Sequence, residues 1–75
     1  MPVTKVIEVI GSSDQSSDEA VREAVTSAGR SIRGITHVDI VSVTCDVQDG
    51  AVVRWNALVK LSFPVEPRAD EPSRA

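Results

Sequence analysis

The stretch HVDIVSVTCDVQDGAVVRWNALVKLSF, residues 37 to 63, decides the fold. Residues His37 to Val47 and Ala51 to Phe63 are two β-branched runs, and Gln48-Asp49-Gly50 between them is a turn in which Gly50 can take a positive φ without steric cost. The pattern predicts a long antiparallel hairpin. Alternation along the second run puts Val53, Trp55, Ala57, Val59, Leu61 and Phe63 on one face and Arg54, Asn56, Leu58, Lys60 and Ser62 on the other. The first set is expected to pack a helix. In the first run, Val38 and Ile40 keep one parity whereas Val41, Val43, Cys45 and Val47 keep the opposite one. An extra residue near Val41, a bulge, reconciles them.

Upstream, Val3 to Ile10 is another β-branched run, bounded by Gly11-Ser12-Ser13-Asp14, and reads as the first strand. Ser16 followed by Glu19 is a capping-box signature, with Asp18 and Glu19 placing negative charge at the positive end of a helix. Val21, Ala24, Val25, Ala28, Ile32 and Ile35 then recur at three- and four-residue spacing. Arg30, Arg33 and Gly34 are expected to close this helix. The order is β-α-β-β, an α+β fold with a three-stranded, mainly antiparallel sheet on one helix. Its open face is expected to carry His37, Asp39, Arg54, Asn56 and Lys60, with Leu58 exposed among them.

At 75 residues the chain has room for one small domain, and three of its four prolines (Pro64, Pro67, Pro72) fall in the last twelve residues. Residues 1–63 read as the domain, and 64–75 as an unstructured tail. A 41% hydrophobic fraction with 3% aromatic residues predicts a thin core of Val, Ile, Leu and Ala. One cysteine and one histidine exclude an internal disulfide and argue against a Cys/His zinc site within a single chain. Self-association is the remaining support. Eight basic against eleven acidic residues, with no basic cluster, exclude nucleic acid as an expected partner. No apolar run approaches the ~20 residues of a membrane span. The opening Met1-Pro2-Val3-Thr4-Lys5 has no apolar secretory stretch, so a cytoplasmic location is expected.

The order strand, Gly11-Ser12-Ser13, single helix and two strands joined through Asp49-Gly50-Ala51-Val52 resembles the dodecins. So do Val6-Ile7-Glu8-Val9-Ile10-Gly11 and Val59-Lys60-Leu61-Ser62-Phe63, and the resemblance covers nearly all of residues 3 to 63. It implies a hollow homododecamer, non-enzymatic, that stores or buffers flavin (riboflavin or its phosphate, FMN) at sites shared between subunits. The position of the Trp that stacks on the flavin in such proteins is occupied here by His37. That of a flavin-covering Gln is Asn56, which keeps the amide donor and acceptor. Ser42 matches a polar or acidic position directed at the flavin side chain, while Thr44 and Pro64 match arginines that hold ligand phosphates in some members. The cofactor-binding candidates are thus His37, Ser42, Thr44 and Asn56. Alternation puts Trp55 on the face opposite Asn56, unable to replace the missing Trp.

A second reading is a dodecin-like shell that has lost flavin binding and serves as a structural or metal- or ion-binding assembly. His37 and Asp39, two apart on a strand, could meet copies of themselves at a symmetry axis, and a calcium-binding branch of the family keeps Asp46 and Asp49 in view. Asp49 is also a plain turn residue, and His37 is also an ordinary polar residue on a solvated strand. Cys45, among β-branched neighbours, reads as a buried thiol. Ser12-Ser13 and Ser16-Ser17 lack the lysine of a phosphate loop and read as turn and cap residues. Arg54 and Lys60 could neutralise an anionic ligand or pair between subunits with Glu8 or Asp39. No catalytic set is apparent, and the chain is expected to act as a small-ligand binder.

Overall fold

A computed structural model describes residues 3 to 65. Its elements are β1 (Val3–Ser13), α1 (Ser17–Gly29), β2 (His37–Gln48) and β3 (Ala51–Val65). The strands form one antiparallel sheet in the order β1-β3-β2, so β3 is central and pairs with both others. The β-α-β-β architecture expected from the sequence is the one observed.

The hairpin turn is the two-residue Asp49-Gly50 link, with φ of 53° and 79°. Positive φ at both positions matches the right-handed twist of the flanking strands, and Asp and Gly tolerate it best. Pairing slips between Ile40 and Ser42, which makes Val41 the extra residue of the expected bulge. A second slip leaves Val53 unmatched, since Asp46 faces Arg54 and Val47 faces Val52. Nothing in the run Ala51-Val52-Val53 marks that second irregularity, because adjacent valines fit either face.

The helix starts as its cap chemistry dictates. Ser16 is extended (φ −167°, ψ 166°), and its Oγ accepts the Glu19 N–H at 3.1 Å. It ends sooner than the periodicity suggests, at Gly29, with Arg30 as C-cap. The N–H groups of Ser31 and Ile32 both turn back to the Ala28 carbonyl, at 3.0 and 2.9 Å. Ile35 still reaches the core, but from the connecting loop. Arg33 therefore lies beyond the last turn, and Gly34 (φ 77°) shapes the approach to β2 rather than closing the helix.

β1 runs three residues past Ile10, through the glycine and serines expected to end it. Gly11 is buried opposite Ala57, and a Cβ there would run into the Ala20 carbonyl oxygen and stand 2.8 Å from the Cβ and N of Ala24. Gly11 is thus a close-approach position that lets the helix lie on the strand. β3 extends past Phe63 through Pro64 and Val65, opposite Thr4 and Val3. The β2 pairing starts only at Ser62, so the missing N–H of Pro64 costs no ladder bond on that side. The rest of the expected tail, residues 66–75, lies outside the described residues.

The core is as thin as composition implied. Its buried members are Ala20, Ala24, Ala57, Val59 and Leu61, with Ile7, Val9, Val38 and Trp55 among the half-buried residues against them. A 13-residue helix is roughly 20 Å long. The 15-residue β3 spans about 50 Å, so the helix cannot cover the sheet. Nor does it lie over β2: Val53, farther along β3, is 43% exposed, and Val43, on β2 beside the buried Ala57, is 42% exposed. Of the six β3 residues expected to pack the helix, Trp55, Ala57, Val59 and Leu61 do so, whereas Val53 is exposed and Phe63 is half-buried outside that cluster. Cys45 is exposed because it stands on β2, which the helix does not cover, correcting the expectation of a buried thiol.

Candidate functional site

Residues directly opposite one another in an antiparallel sheet share a face. The register therefore lays out the open face in rows across β1, β3 and β2: Val6, Ser62, His37; then Glu8, Lys60, Asp39; then Ile10, Leu58, Ser42; then Ser12, Asn56, Thr44. Arg54 and Asp46 follow on β3 and β2 alone. All four candidate residues, His37, Ser42, Thr44 and Asn56, stand on this face.

The bulge at Val41 makes that so. Without an extra residue, strict alternation would send Ser42 and Thr44 to the helix side and leave Val43 and Cys45 with His37. The inserted residue restores the phase, so the short polar side chains face outward together with His37 and Asp39.

Within this set the chain brings Thr44 and Asn56 directly opposite, with Ser42 one row away. His37 is held apart. It faces Ser62, six residues along β3 from Asn56, or roughly 20 Å at strand rise. One small planar molecule cannot touch both ends on a single chain. Between them lies an apolar floor made by Leu58 and Ile10, the latter 67% exposed. A charged row and a polar row border it.

The polar row contains a contact that sequence reading missed. Ser12 Oγ donates to Asn56 Oδ1 at 2.8 Å. Ser12 reads locally as a turn residue, and only the long-range β1–β3 register sets it against Asn56. The next row holds the Arg54–Asp46 pair, at 4.0 Å and largely exposed. Lys60 lies between Glu8 and Asp39 in register but forms no ion pair with either within this chain among the described residues. Trp55 lies on the helix side, facing Cys45 and packing against the core, as alternation predicts.

No group of three or more His, Cys, Asp or Glu side chains among the described residues is placed to hold a metal ion. Among the described residues, His37 and Asp39 have no third ligand on their own chain. Between β1 and α1, an open groove of about 380 Å³ is lined by Val9 to Ser12 and by Glu23, Ala24, Ser27 and Ala28. It contains none of the four candidates. No described helix is long and apolar enough to cross a membrane.

Comparisons with known proteins agree with this fold. No curated protein matches the chain. Among solved structures, a dodecin from Streptomyces coelicolor is 34% identical, with a TM-score of 0.85 over 89% of this chain and 96% of that one. The calcium dodecin of Mycobacterium tuberculosis, described as a calcium-chelating immunodominant antigen with a novel calcium-binding site, is 30% identical. Its TM-score is 0.74 over 93% of this chain and 97% of that one. A dodecin from Streptomyces davaonensis, 21% identical, shares the fold at a TM-score of 0.84, covering 88% and 97% of the two chains. The dodecin family model matches residues 3–66, from the first strand through the third, and the chain belongs to the dodecin family.

Proposed function

We propose that the protein is a non-enzymatic, cytoplasmic homo-oligomer, a dodecamer, that binds and buffers flavin on the open faces of its sheets, at sites completed by a neighbouring copy. The observation that carries this reading is the open face itself. Its Ile10–Leu58 floor is flanked by hydrogen-bonding rows, and its two expected ring-contacting residues, His37 and Asn56, lie about 20 Å apart on one chain. A site using both takes them from different copies. The thin core and bare hairpin support the same assembly, since apolar surface of this kind is stabilised by being covered.

The residues present fit a flavin in part. Ile10 and Leu58 offer an apolar surface, Asn56 an amide and Thr44 a hydroxyl, while the imidazole of His37 gives less stacking area than an indole. When bound, flavin supplies its own photochemistry. The chain's part is to hold the ring in contact with side chains or a second ring, where its excited state decays quickly. Thr44 and Pro64 bring no positive charge to the phosphate-holding positions, which favours riboflavin over its phosphorylated form.

The test is a titration of the assembly, its mass confirmed in solution, with riboflavin and with its phosphate, followed by flavin fluorescence. Saturable quenching, stronger for riboflavin, is expected; an intact assembly that leaves flavin fluorescence unchanged overturns the reading. His37→Trp should then tighten binding by about tenfold through the added stacking surface, on the order of 1 kcal/mol.

The 30% identity to a calcium dodecin supports a second reading, an ion-binding shell. The cation ligands would be carboxylates such as Asp39 and Asp46 gathered from several copies. Calcium-dependent thermal stabilisation without flavin quenching would favour it.

A further inference from the structure

We propose that Asp49 is a modification site: in the folded protein its side-chain carboxyl and the Gly50 amide close to a cyclic imide, a succinimide, and hydrolysis of that ring leaves an isoaspartyl link at the hairpin tip. The step needs no enzyme and no bound ligand, and it is independent of the function proposed above.

Asp49 is the one aspartate of the chain followed by glycine, whereas Asp39 and Asp46 are followed by Ile40 and Val47, whose branched side chains crowd the attacking amide. The chemistry balances as one water lost and one regained. The Gly50 nitrogen attacks Cγ of Asp49 in its acid form, a C–N bond closes the ring, and the amide proton leaves with the carboxyl hydroxyl as water. A second water reopens the ring by breaking either of its two C–N bonds. Opening at the Asp49 backbone carbonyl turns that carbonyl into a carboxylate and leaves Gly50 joined through Cγ, so the main chain is longer by one carbon.

Ring closure requires the Asp49–Gly50 peptide plane to rotate out of the turn that their φ values of 53° and 79° describe. Little in the fold resists that rotation. Both residues are exposed, and even a Cβ added at Gly50 would meet nothing within 4 Å. Among the described residues the Asp49 carboxyl has no hydrogen bond or ion pair to hold it. The β1 ladder ends where Ser13 faces Trp55, so the arm beyond has only two strands, an arrangement of marginal stability in water. Between the unmatched Val53 and the turn, only the pairs Val47–Val52 and Gln48–Ala51 remain. The product cannot rebuild the same turn, because the added carbon lengthens a link that fits two α-amino acids.

The experiment incubates the native protein, and in parallel the chain held unfolded in denaturant, in 18O-labelled water at neutral pH. Trypsin in ordinary water then releases residues 34–54, and fragmentation locates the heavy oxygen. Incorporation at Asp49 above that at Asp39 and Asp46 is expected, at a rate within about tenfold of the unfolded chain, as for a tip that opens at small cost. Asp49→Asn, which reaches the same ring with loss of ammonia, should incorporate label faster; Asp49→Ser should incorporate none at that position. The isoaspartyl form should show faster amide exchange at Val47 and Val52 than the parent chain. Suppression in the native protein by more than about tenfold relative to the unfolded chain, or incorporation at Asp49 no greater than at Asp39 and Asp46, overturns the proposal.

Discussion

Val59 and Val43 are the same side chain on the helix-facing side of neighbouring strands, yet Val59 is 0% exposed and Val43 is 42% exposed. The sequence around each is similarly β-branched. What separates them is which strands the helix lies over: it covers β1 and β3, so Ala57 is buried while Val43, its direct partner on β2, is left bare. Strand-forming residues are therefore not the same thing as a core, and a β-rich surface without a covering layer is a request for a partner.

The comparison is broken most severely at Gly11. Gly11→Val forces α1 off β1, and loss of folded protein is expected, by more than about 3 kcal/mol, read as failure to recover a cooperative unfolding transition. Leu61→Ala removes the largest fully buried side chain and should cost about 2–4 kcal/mol in denaturant unfolding. A sharper form sets Val59→Ala beside Val43→Ala. Within one chain only the first should matter, by about 1–2 kcal/mol; if copies cover the arm, both should, and equal losses would locate the second half of the core between chains. Val43→Asp carries this further, and unfolding of the chain is expected rather than release of stable monomers, as sedimentation and circular dichroism together would report. Gly50→Ala should have the smallest effect, about 1 kcal/mol, because it strains a positive-φ turn at an exposed tip.

Local signals in the sequence were legible where they admitted one geometry. Asp49-Gly50 specifies its turn, Ser16 with Glu19 its helix start, and the phase slip between Ile40 and Val43 its bulge. The helix end was not legible, because Ile32 and Ile35 keep the helical spacing while lying beyond the helix. The second bulge was hidden by Val52 and Val53, which suit either face. Cys45 was misplaced because β-branched neighbours say that a strand exists, not that anything lies over it. The same limit applies to the candidate site. The shared face of His37, Ser42, Thr44 and Asn56 follows from alternation and one bulge, whereas the Ser12–Asn56 bond depends on a register between strands 44 residues apart.

The strand order carries one more consequence, for the timing of folding. β1 and β2 never touch each other in the sheet, and each is paired only through β3, the last strand to be synthesised. A nascent chain that has exposed β1, α1 and β2 to solvent has no ladder to form until Ala51 and the residues after it emerge. The β2–β3 hairpin can close locally, but β1 must then cross nearly the full length of the domain to find its partner, a high-contact-order step that sets the pace. Until that step is complete, both apolar strands have open edges, and neighbouring nascent copies compete with β3 for them.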